Sequence, residues 1–195
     1  MSSYQEQEFD NRIIEAVTGV KPMTIAQWEA RGIYTCELRR RAEFDQMLIM
    51  APDRPDRRQR AGETLKRLAT GWRRYVIADL LRISILTALQ GAGVKAKEAG
   101  HTAMLVVLPE ADQNTQPGGV ELMGRLAAAS DPDEYLIFVP GLAHMDNPWL
   151  ARDPRRIARA LGFAGERAAV ALNLSGIRRR VLEQLEALES KAETN

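Results

Sequence analysis

The chain has 195 residues, of which 45% are hydrophobic, 27% charged and 6% aromatic, with a formal net charge of +1. This supplies enough apolar surface for one compact domain or two small ones, excluding a disordered chain, and no run approaches the ~18 apolar residues of a membrane span. One cysteine, Cys36, leaves no intrachain disulfide framework, no CxxC pair and no thiolate metal cage, and with a start, MSSYQEQEFD, unlike a signal peptide it implies a cytoplasmic protein.

The charge is unevenly spread. Residues 1–100 carry 17 Lys and Arg against 13 Asp and Glu, and residues 101–195 carry 10 against 13, so the front half is the one better suited to a polyanion.

In chain order, Phe9, Ile13, Ile14 and Val17 recur at helical spacing and predict a first short helix, ended by Gly19. Val20 points inward from the turn, and Met23, Ile25, Ala26 and Trp28 predict a second helix that begins at Pro22 and stops near Gly32. Two short helices across a Gly turn make a helix-turn-helix candidate. A helix is expected over 37–50, a charged loop over APDRPDRRQRAGE, and a further helical piece over 63–69. After Gly71, the apolar series Leu80, Leu81, Ile83, Leu86 and Leu89 predicts a long buried helix with Asp79 in its first turn and Gly91 and Gly93 at its end. A short helix begins at Val94.

The back half changes character. MLVVLPE, EYLIFVP and AAVALNL read as three short strands, Val120–Ala129 and Asp153–Leu161 as helices, and Ile177–Glu189 as a final helix. The fold expected is mainly α with a small α/β C-terminal part.

Three segments in this order, TGVKPMTIAQWEARGI at 18–33, GWRRYVIADLLRISILTALQGAGV at 71–94 and KAKEAG at 95–100, resemble the MerR-type winged helix-turn-helix family. The resemblance covers the front half alone. It implies a winged helix-turn-helix DNA-binding domain over 1–100, interrupted by an insertion at 35–71, and leaves 101–195 as a small α/β dimerisation, partner or effector domain.

The residues agree with that implication. In a helix-turn-helix the second helix enters the major groove. Lys21, Thr24, Gln27 and Arg31 share one polar face of it: Gln27 suits adenine, Thr24 a thymine methyl or a phosphate, and Lys21 and Arg31 phosphates. The resemblance further implies a two-stranded wing in which Arg73 and Arg74 contact phosphates. Tyr75 and Trp28 either pack in the core or add backbone contacts.

The insertion of about 37 residues is unlike the family's short connection and carries Arg39, Arg40, Arg41, Arg54, Arg57, Arg58, Arg60, Lys66 and Arg67. Nothing long and heptad-like follows Gly100, so the family's long dimerisation helix is not expected.

Motifs of catalysis are absent: no HExxH, phosphate-binding loop, GxSxG or dinucleotide glycine pattern occurs. His144, Asp146 and Asp133 are the one set that can gather as a metal or acid/base site, and Cys36, read first as a buried or incidental thiol, is a redox- or metal-sensor candidate only if a dimer pairs two of them. The expectation is a transcriptional regulator and not an enzyme, without cofactor or metal, bound to double-stranded DNA as a homodimer. A protein partner or small effector is left to residues 101–195, and no membrane is involved. Two alternatives stay open, an excisionase-like or architectural recombination factor and a protein-interaction adaptor without DNA affinity.

Overall fold

The computed structural model describes residues 7–47, 55–69, 73–107, 133–140, 149–151, 155, 158–159, 162 and 169–193. The described residues are mainly helical, with a small antiparallel sheet near the C-terminus. They fall into two compact units, residues 1–80 and 81–195.

The first unit opens with α1 (Asn11–Thr18), whose start is set by Asp10: its carboxylate accepts from the backbone N–H groups of Arg12 at 2.8 Å and Ile13 at 3.0 Å. Ile14 and Val17 bury one face. Gly19 closes the helix at φ +70°, the left-handed conformation that a side chain resists, and its N–H reaches the Glu15 carbonyl at 2.8 Å. Val20 is buried in the turn as the sequence implies. Pro22 then occupies the first position of α2 (Pro22–Ala30), where its missing N–H costs least. Ile25 and Trp28 form the inward face.

The described part of the insertion is largely helical. α3 (Glu37–Met47) and α4 (Pro55–Ala69) pack against each other, with Ala42, Ala61 and Leu68 buried. The loop expected over APDRPDRRQRAGE is thus corrected from residue 55 onward, where the chain is helical. Pro55 is tolerated because it stands first in the helix, and Ala61 and Leu68, two turns apart, give α4 a narrow apolar stripe among its charges.

Asp79 joins the insertion to the start of α5 (Ile77–Gly91). Its fully buried carboxylate accepts from the Val76 N–H at 2.9 Å, the N–H of Glu37 at 2.8 Å, and the Tyr34 hydroxyl. One acid therefore caps α5 and α3 together.

In the second unit, Gly93 ends α5 at φ +87° and α6 spans Ala96–Val106. The strand expected over MLVVLPE is corrected in its described part: Met104, Leu105 and Val106 continue α6. Ala99, Ala103 and Val106 are buried at helical spacing, and the buried Arg82 guanidinium donates to the Val107 carbonyl at 2.6 and 3.0 Å, satisfying a helix-end acceptor. The neighbouring face, not the β-branched valines, decides the conformation.

The other two expected strands form, β1 (Tyr135–Phe138) and β3 (Val170–Asn173), and β2 (Trp149–Ala151) joins them within a segment read from sequence as loop. The order is β2-β1-β3, antiparallel on both sides, with Ile137 opposite Trp149 and Ala171. Leu136, Ile137 and Phe138 are buried on both faces, which explains the unbroken apolar run of the central strand.

Asn173 ends β3 and starts α7 (Leu174–Glu193), its side-chain carbonyl accepting the Gly176 N–H at 2.7 Å. Residues 120–129 lie outside the described residues, as does most of 153–161.

Candidate nucleic-acid interface

The outward side of α2 is built by the same spacing that buries Ile25 and Trp28. Lys21, Met23, Gln27, Ala30 and Arg31 are exposed, and Thr24 is half-buried beside them. Lys21 stands at the N-cap and Arg31 at the C-cap, so the two cations bracket the helix. Trp28, 9% exposed, lies in the core.

Arg73, Arg74 and Tyr75 reach this neighbourhood from across the insertion. Tyr75 forms an isolated antiparallel bridge with Phe9, each N–H donating to the other's carbonyl at 2.9 and 2.7 Å. Among the described residues this single bridge stands where a two-stranded wing was expected, and residues 70–72 lie outside the described residues. Tyr75 is only 1% exposed, its hydroxyl donates to Asn11 Oδ1 at 3.3 Å, and burial pushes its pKa up to about 12. Both aromatic site residues are thus packing residues of the first unit.

Arg73 is half-buried and pairs with Glu29 at 3.4 Å. Glu29 is the sole acid of α2, so this ion pair offsets the one negative charge that would oppose Lys21 and Arg31. Arg74 is half-buried. No signal in the sequence pairs Glu29 with Arg73, since the contact depends on how the insertion folds back.

The arginines of the insertion divide. Arg40 grips the buried Glu37 carboxylate with two bonds of 3.0 and 3.1 Å, and Arg41 adds a third at 2.8 Å, so both are committed to an internal acid. Arg60, Lys66 and Arg67 are exposed on α4.

The other chemical candidates fare differently. Cys36 is buried, and burial first, then the Asp79 charge, lifts its pKa to about 12, which keeps it a thiol at neutral pH. Asp133 binds Arg179 and Asn173, each at 2.9 Å, and these bonds hold its pKa below the ordinary value. His144 and Asp146 lie outside the described residues. Among the described residues no group of three His, Cys, Asp or Glu can hold a metal, and no helix is long and apolar enough to cross a membrane.

The chain matches no protein-family model, and comparison with curated proteins returns no significant match.

Proposed function

We propose that the protein is a sequence-specific, double-stranded-DNA-binding transcriptional regulator that acts as a homodimer, with its second helix, α2, in the major groove. The observation that carries this reading is the outward side of α2: Lys21 and Arg31 exposed at its two ends, Gln27 exposed between them, and its sole acid, Glu29, paired with Arg73. Cations at both ends suit flanking phosphates, and a long amide between them suits an adenine edge. The resemblance of 18–33 and 71–94 to the MerR-type module supports the same assignment, and the helix, three-residue turn and helix over 11–30 give it a fitting frame.

A single module of this size buries little DNA surface, and pairing two protomers on an inverted repeat supplies the missing affinity. Residues 101–195 are the part of the chain left for dimer, partner or effector contacts.

The test is a mobility-shift measurement on duplexes enriched from a random pool by the full chain. Lys21→Ala combined with Arg31→Ala is expected to abolish the shift while leaving the circular dichroism spectrum unchanged. Undiminished binding by that variant overturns the assignment. Arg73 is unsuited to this test, because its removal also strands Glu29.

A further inference from the structure

Met23 is the most exposed large hydrophobic side chain among the described residues, at 70%. A lone exposed apolar residue needs no explanation on an ordinary surface. Its setting here is particular: it occupies the second position of α2, four residues before Gln27 and seven before Ala30, all three exposed, in a stripe bracketed by Lys21 and Arg31. Ile25 and Trp28 already fill the inward face, so Met23 is excluded from the core by helix geometry.

We infer that Met23 reads the C5-methyl group of a thymine, giving the interface an apolar specificity contact beside the polar one made by Gln27. The inference rests on the DNA-binding reading of α2. Thymine is the one base that presents a methyl group in the major groove, and an unbranched thioether side chain adapts its three torsions to meet it. The charges at the ends of the stripe favour a polyanion over an apolar protein surface as the occupant.

The spacing also restricts the site. Side chains four apart on a helix stand about 5–6 Å from each other, against about 3.4 Å per base step, so the thymine under Met23 lies one or two steps from the adenine under Gln27.

The experiment uses the full-length protein and the duplex that it enriches from a random pool. Each thymine of the half-site is replaced in turn by deoxyuridine, which lacks only the methyl group, and binding is followed by fluorescence anisotropy. At one thymine per half-site, one or two steps from an adenine, the replacement is expected to weaken wild-type binding about fourfold, the effect of one buried methyl group. Met23→Ala is expected to bind the thymine and uracil duplexes equally, and Met23→Leu to restore a preference for thymine.

A thermal melt establishes that each variant is folded. If every uracil duplex binds like its parent, or if Met23→Ala keeps the preference, the inference is overturned while the DNA-binding reading stands. Should no duplex be enriched at all, both fall together.

Discussion

Asp79 shows how much one buried acid can organise. Its carboxylate holds the Tyr34 hydroxyl and the N–H groups of Glu37 and Val76, so removing it leaves three buried donors without that acceptor. Asp79→Ala is expected to cost about 4 kcal/mol, as for loss of a charged acceptor shared among buried donors, and urea denaturation followed by circular dichroism measures it. A loss below about 1 kcal/mol would show that the three donors find other partners. Cys36 and Tyr75 make a second expectation at this scale. Burial raises the thiol from the ordinary 9.0 to about 12 and the phenol from 10.0 to about 12. Below about pH 8 both groups are protonated whether the chain is folded or not, and their contribution to stability is fully present. Above that the unfolded chain ionises first, so stability falls as pH rises toward 12, by up to about 1.4 kcal/mol per pH unit for each group. Urea midpoints across pH 8 to 11 test this, and Cys36→Ala should flatten the early part of the decline, between about pH 9 and 10.

The elements differ in how openly the sequence announces them. α1, the Gly19 turn and α2 were legible because Gly19 and Pro22 set limits locally and Ile14, Val17, Ile25 and Trp28 mark the buried faces, but the Asp10 cap went unread and Phe9, counted with the first helix, lies before it and bridges to Tyr75. β1 was legible as an unbroken apolar run, but the same signal misled at Met104–Val106, where the buried face of α6 overrides the run. α4 was half hidden, since its apolar stripe is narrow and its first turns are crowded with charge and a proline. Of the candidate interface, the polar side of α2 could be read from spacing, whereas the Arg73 to Glu29 pair, which tempers its charge, depends on a contact across the insertion. Two glycines test these assignments in opposite directions. At Gly19, with φ +70°, alanine meets no neighbour but strains the backbone, so Gly19→Ala is expected to destabilise by about 1 kcal/mol. Gly62 is different: a Cβ there would sit an ordinary 3.7 Å from Gln46 Nε2, so Gly62→Ala should stabilise α4 by about 0.5–1 kcal/mol. Thermal melts of the two variants should therefore shift in opposite senses, and a downward shift for Gly62→Ala would contradict the α3–α4 packing described.

On the DNA-binding reading, the formal charge of +1 of the whole molecule is too small to drive association by itself, so the attraction would come from where the charges stand. Arg40 and Arg41 are committed to Glu37, and Arg73 to Glu29. On the proposed reading, Lys21 and Arg31, both exposed, and the half-buried Arg74 make the phosphate contacts beside and on α2, about six in a homodimer. Six neutralised phosphates correspond to a slope of about −5 in log affinity against log salt, a loss of about 10³-fold between 50 and 200 mM. Arg31→Ala removes one of these from each protomer and should reduce the steepness by about two, whereas Gln27→Ala, directed at a base edge, should weaken binding to the enriched site and leave the slope unchanged. Salt titrations of wild type and both variants separate the two kinds of contact. A shallow slope near −1 for the wild type would place recognition away from the phosphate backbone and favour a protein partner for α2, because an interface without phosphate contacts releases few counterions.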